Sequence, residues 1–231
     1  LADPQSRFAI ASASLVMDTE ILSQNWTGAL EYSRKTLAAE GLWNGDAGTD
    51  QPFRKKSREI GSGAAFKLCD AIQQGPAQQI ECGQRILAEF PGTQAIPETL
   101  FLIARSEKAL GHLGIARTHL TTLVEEHKNP KALAARATLA EENLDLDLLV
   151  ADTTAMLEST TDPIQKAEIR SRLLHLLWLT QRLDLAKFKT LGCATDTSSC
   201  EPLLSLTQAN GLLLDFEPKR DPAEKRSIRA D

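Results

Sequence analysis

Four cysteines, four histidines, an acidic run and one Gly-Ser-Gly triplet are the features with which this 231-residue chain could do chemistry. Cys193 and Cys200 flank the polar stretch ATDTSS, while Cys69 and Cys82 fall on the two helices of one expected helical pair. An even count at such spacings suits disulfides in an oxidising space such as a bacterial periplasm, so two bridges, or else one, are expected among Cys69, Cys82, Cys193 and Cys200, with Cys69 to Cys82 geometrically possible across antiparallel helices and the pairing open. Closing the shorter loop would stabilise by roughly 2–3 kcal/mol in the chain-entropy picture. Four reduced, buried thiols are the plain alternative. No cysteine pair has the two- to four-residue spacing of a zinc site and no histidine stands near one, so no metal is expected. His112, His119, His127 and His175 read as surface residues, since His119 and His127 are eight residues apart, too far along one helix to chelate. Glu141, Glu142, Asp145 and Asp147 read as a solvated helix end, because general acid–base work needs a pocket. Gly61-Ser62-Gly63 reads as a flexible turn or helix start rather than a phosphate cradle. Asn25-Trp26-Thr27 fits a glycosylation acceptor, but Trp26 suits packing better. Nucleophile-elbow, phosphate-loop, zinc-protease and dinucleotide patterns are all missing, so no catalytic residue and no cofactor is expected and the chain reads as a non-enzyme.

Charge and composition narrow the class further. With 26 basic and 31 acidic side chains the net charge is −5, which argues against a nucleic-acid binder that would neutralise phosphates with a basic face. Apolar residues make up 42% and charged residues 25%, the balance of a folded globular chain. No apolar run approaches the ~18–20 residues of a membrane span. The chain opens on Leu1 rather than Met, which agrees with a removed leader and with an exported, periplasmic protein, soluble or peripheral.

Helix formers fill long stretches, and no Asn-Gly or Asp-Gly turn sits between alternating apolar residues as a hairpin of strands requires. Leu100, Phe101, Ile103, Ala104 and Leu110 recur at helical steps, as do Ile115, Ala116, Leu120, Leu123 and Val124, with Gly111 and Gly114 between the two sets. The spacing predicts helices over 5–23, 26–40, 57–74, 77–90, 95–110, 114–128, 131–144, 147–159, 163–181, 183–191 and 201–215. The Gly- and Asp-rich stretch GLWNGDAGTDQPF, residues 41–53, marks an insertion. The chain then divides into a first helical pair (1–45), an insertion loop (46–56), helical repeats (57–192), a cysteine loop with capping helix (193–216) and a mobile, charge-alternating tail (217–231).

The helices repeat. Ala116, Ala151 and Ala186 recur every 35 residues, each after a short turn and opening an apolar helix; Ala29 and Ala77 take similar places upstream. Pro91 and Pro130 mark where second helices end, since proline removes a helical N–H. This pattern resembles the tetratricopeptide repeat, a ~34-residue helix–turn–helix unit. Leu100 with Ile103-Ala104, Gly111 closing the first helix, Ala116 at the crossing, Leu120 on the second helix and Pro130 carry the resemblance. Leu139-Ala140 with Ala151, and Pro163, Leu173, Leu174 and Ala186 with Gln181 in the glycine's place, carry it onward. The run FPGTQAIPETLFLIARSEKALG is similar to repeats of bacterial cell-envelope assembly proteins, which open on Phe/Tyr-Pro-x-Ser/Thr.

The resemblance implies an all-α fold: a right-handed α-solenoid of about five such repeats plus a C-terminal capping helix. It implies a groove lined by first helices, here Glu98, Phe101, Arg105 and Lys108 in one unit, Arg136 or Glu141 in the next, and Glu168, Ser171, His175 and Trp178 in the last. Arginine and tryptophan make good anchors because they bury much surface with directional polar contacts. The function implied is a non-catalytic scaffold binding a protein or peptide in an envelope assembly, with no nucleic acid and no transmembrane segment, in a complex that can be membrane-associated. The rivals are the helical part of a cell-wall hydrolase, a subunit assembling through its convex face, and a cytosolic co-chaperone.

Overall fold

The computed structural model describes residues 7–39, 47–72, 75–183 and 191. Among them every regular element is an α-helix: α1 (Arg7–Leu22), α2 (Trp26–Ala38), α3 (Ala47–Asp70), α4 (Pro76–Glu89), α5 (Ile96–Ala109), α6 (Leu113–Glu125), α7 (Pro130–Glu142), α8 (Leu146–Ser159) and α9 (Pro163–Leu179). The all-α expectation holds. The expected helices at 183–191 and 201–215, the tail, Ala186, and Cys193 with Cys200 lie outside the described residues, Leu183 and Leu191 apart.

Proline sets several starts. Pro76, Pro130 and Pro163 are the first residues of α4, α7 and α9, and Pro97 is the second of α5, positions whose N–H has no helical partner to lose. Asn129 and Asp162 cap α7 and α9: the Asn129 side chain accepts from the N–H groups of Lys131 and Ala132, and Asp162 from that of Ile164. Pro130 therefore opens a helix rather than closing one.

One turn recurs four times. Gln24, Gly111, Leu144 and Gln181 all take positive φ, at 56°, 80°, 56° and 57°. In each case the next N–H reaches back five residues to a helix carbonyl: Asn25 to Glu20, His112 to Glu107, Asp145 to Ala140 and Arg182 to Leu177. This Schellman closure ends each helix, and α2, α6 and α8 each begin two residues after the positive-φ residue. Gln181 stands where Gly111 stands, as the repeat pattern implied. The interval is not constant, however: 33 residues from Gly111 to Leu144, then 37 to Gln181. The fourth helical position after the turn is buried in each described case, Ala29, Ala116 and Leu149, whereas Ala151 and Ala77 are exposed. The turn before α8 comes two residues earlier than a 35-residue period allows, which moves Ala151 onto the solvent face.

The chain divides into two compact units, Leu1–Leu133 and Ala134–Asp231. In the first, consecutive helices pack on one another from α1 to α6. Ala13, Met17 and Phe53 form one buried cluster, and Ala65, Cys69, Ile86, Phe90 and Leu102 another. Phe53 explains the largest departure from expectation. Gly48, Thr49, Asp50 and Pro52 are poor helix residues, so 46–56 reads as a loop, yet α3 runs through it from Ala47. The Phe53 side chain is buried against α1, and the Lys56 ammonium donates to Ser14 and Asp18 of the same helix. Tertiary packing overrides local preference there. Gly61-Ser62-Gly63 likewise lies within α3 and is no turn. Where α4 meets α5 the small residue is Gly83, whose absent Cβ would stand 2.7 Å from Cγ1 of Ile103. In the second unit Ala137, Ala140, Leu149 and Leu176 cluster, as do Leu157, Leu173 and Leu177.

Candidate functional site

In the first unit α5 buries Thr99, Leu100, Leu102, Ile103, Ala104, Ser106 and Glu107. Beyond its first two residues and the terminal Ala109, the residues left unburied are the four expected there, at three- and four-residue steps along one face. Glu98 and Arg105 are exposed, Phe101 and Lys108 half-buried. Arg105 donates through Nη2 to Oδ1 of Asp70, the last residue of α3, at 3.1 Å. Both partners are well exposed, so solvent competes with the pair and it adds little to stability. Its consequence is positional: the guanidinium is held toward the α3 end of the face.

In the second unit His175 is exposed and Trp178 half-buried on α9, their ring centroids 6.0 Å apart and their planes inclined by 34°. Glu168 is exposed on the same helix and Ser171 half-buried. Arg136 behaves differently from the groove assignment. It points inward, where Nε and Nη2 donate to the two oxygens of Asp152 at 3.0 and 2.7 Å. The Arg136 and Asp152 side chains are 10% and 1% exposed, so the guanidinium is part of the α7–α8 interior and is not presented to a ligand. Of the two residues that the register left open, Glu141 is the exposed one, accepting from Arg172 at 2.7 Å.

The remaining candidates take structural places. Cys69 and Cys82 are joined in a disulfide with Cα atoms 5.6 Å apart, tying the end of α3 to α4. Asn25 is the N-cap of α2: its oxygen accepts from the Gly28 N–H while its amide donates to Glu20. His112 Nδ1 lies 2.7 Å from the buried Glu107 carboxylate. His119 is half-buried on α6, and burial pushes its pKa below the usual imidazole value, against a smaller opposing pull from Glu107. His127 lies beyond the end of α6, exposed. Among the described residues no three His, Cys, Asp or Glu side chains converge as metal ligands, and no helix is long and apolar enough to cross a membrane.

One feature had no counterpart in the sequence reading. Arg54, Lys55, Arg58 and Glu59 of α3 face Pro91, Gly92 and Thr93 across a polar cleft of about 550 Å³. The available signal was RKKSR at 54–58, four cations within five residues of an acidic chain. No family model and no curated protein matches the chain.

Proposed function

We propose that this chain is a non-catalytic adaptor that binds a protein or peptide through the exposed faces of the first helices of its hairpins. In this reading the hairpins are tetratricopeptide-like repeats stacked as a right-handed solenoid, and the assembly served is in a bacterial envelope. The observation that carries it is the α5 face, where Phe101 is half-buried between the exposed Glu98 and Arg105 while seven other residues of the helix are buried. An aromatic residue kept half-exposed between opposite charges is what a recognition surface offers and what a helix serving only as packing would not need. The recurring Schellman turns support a repeat architecture, since the same closure is built from Gln24, Gly111, Leu144 and Gln181. The Cys69–Cys82 bridge supports an oxidising compartment, where such bonds persist.

The test is a cross-linking pull-down from the native host, comparing wild type with Arg105→Glu, with Trp178→Ala and with the double variant. Circular dichroism verifies each fold. A partner captured by wild type and lost by Arg105→Glu identifies the α5 face as its site. Loss only with Trp178→Ala places the contact on α9. Equal recovery by all four proteins refutes recognition by these faces.

A further inference from the structure

The first helix, α1, is apolar on two sides. Ala9, Ala13 and Met17 are buried and take one side into the core. On the opposite side Ala11, Ser12, Leu15, Val16, Thr19 and Leu22 are exposed, at the steps of a single helical face. Leu15, Val16 and Leu22 are 68%, 37% and 86% exposed, and Phe8 stands at the start of the same face, itself exposed. From Phe8 to Leu22 no exposed residue of the helix is charged. A helix apolar all round is one that is covered on both sides. We infer that the outward face of α1 binds the same face of a second copy of this chain, in a weak two-fold dimer. The inference concerns α1 alone and does not rest on the adaptor reading, which α5 carries.

Charge decides for a second copy. Near a two-fold axis each side chain meets its own equivalent, so a charge there would meet its like. The outward face brings none. The two carboxylates that flank it are engaged within the chain, Asp18 accepting from the Lys56 ammonium at 2.8 Å and Glu20 from the Asn25 amide at 2.6 Å. Two copies, each of net charge −5, therefore meet along α1 without setting carboxylate on carboxylate. A partner chosen by opposite charge would find nothing on this face to pair with. Burying Thr19 costs little, because its hydroxyl already donates to the Leu15 carbonyl at 2.8 Å.

Shape and area set the strength. Leu15 and Leu22 stand about 10 Å apart along the axis, with the smaller Thr19 between them and Ala11 and Ser12 one turn before. Ridges and gaps thus alternate along the face, and the leucines of one copy fit the gaps of the other. The 16 residues of α1 make a helix about 24 Å long and about 10–12 Å across, so pairing removes on the order of 400 Å² from each copy. An uncharged patch of a few hundred Å² is the size that marks a contact site on a folded chain. A total of about 800 Å² is below a standard interface, so the dimer is reversible, with a Kd in the micromolar range or weaker.

Sedimentation equilibrium of the full chain, from low micromolar to near-millimolar concentration, tests this. Wild type should pass from monomer to dimer and stop there, because a two-fold contact closes on itself. Added salt should tighten the dimer, since the seam is uncharged and salt screens the repulsion between two like-charged copies. Leu15→Lys should weaken it by about tenfold or more. Ile115→Lys, at an exposed apolar position of α6, changes the charge equally and should alter it by about twofold at most. Circular dichroism and the urea midpoint report the fold, and Leu15→Gln keeps the comparison if lysine disturbs α1. Monomer at every concentration overturns the inference and gives the face to a different protein. A dimer as tight in Leu15→Lys as in Ile115→Lys overturns it too, as does association that weakens with salt or grows beyond two copies.

Discussion

The ring of Phe90 lies against Gly61 of α3 so closely that a Cβ at Gly61 would stand 2.9 Å from Cε1 and 3.0 Å from Cζ. Phe90 is 1% exposed and cannot swing aside. Two residues along the same helix, Gly63 has nothing within 4 Å of its absent Cβ. The same substitution should therefore have opposite signs at the two positions. Alanine gains about 1 kcal/mol over glycine in a helix interior, and overpacking costs about 1–3 kcal/mol. Gly61→Ala is expected to destabilise by about 1–2 kcal/mol and Gly63→Ala to stabilise by about 0.5–1 kcal/mol in urea unfolding. The buried Ser33 hydroxyl, which donates to the Ser57 carbonyl, stands closer still to that Cβ, so shifts of the same sign would contradict the tight packing of Gly61 against Ser33 and Phe90.

The Arg136–Asp152 pair makes a second prediction. Asp152 is 1% exposed, so removing its partner leaves an uncompensated charge inside the second unit. Arg136→Met should destabilise by about 3–5 kcal/mol, the usual consequence of breaking a buried pair from one side. Arg136→Met/Asp152→Leu should recover most of that loss, because an apolar pair of similar volume needs no solvation. A double-mutant cycle by denaturant titration reads the coupling, and additive effects would mean that the two side chains do not meet.

The same pair shows where sequence reading ran out. Amphipathic spacing and proline placement located the helices from α4 onward, because each carries its own period of apolar residues. The register between helices is different information. A turn two residues shorter than the 35-residue period put Ala151 where Leu149 belongs, and it hid the fact that Arg136 meets Asp152. An arginine is a surface residue by default until its partner is known. The first turns of α3 were hidden for a related reason, since Gly48, Thr49, Asp50 and Pro52 argue locally for a loop and only Phe53, docked on α1, argues for a helix. The α5 face was legible because its four residues follow one helix's own geometry. The basic cleft was not, because it forms only when residues 91–93 fold back onto α3.

The disulfide predicts a stability difference of known sign. Cys69 and Cys82 close a loop with a sequence separation of 13, and loops of this length contribute about 3 kcal/mol in the chain-entropy picture. Cys69→Ala/Cys82→Ala should lower the unfolding free energy of the oxidised protein by about 2–4 kcal/mol. Under excess dithiothreitol the gap between wild type and variant should shrink to the small packing loss at the fully buried Cys69. A gap unchanged by reductant would mean that packing, not the cross-link, carries the effect.

The half-buried His119 predicts the direction of one pH response. Burial lowers its folded pKa below the ordinary 6.5, with Glu107 opposing more weakly. Below that ordinary value the unfolded chain takes up the proton more readily than the folded one, so each step of acidification favours unfolding. The contribution is fully present above about pH 6.5, where both states hold a neutral ring, and it is lost as the pH falls from there through the folded pKa. Urea midpoints for wild type should drop between pH 7.5 and 5.5 more steeply than those of His119→Gln, which has no proton to bind at this position. Because the ring is only half-buried, the difference is a modest change of slope rather than acid unfolding. Parallel pH profiles would show that His119 is as well solvated in the folded chain as in the unfolded one, and that its place on α6 is more open than the packing around it implies.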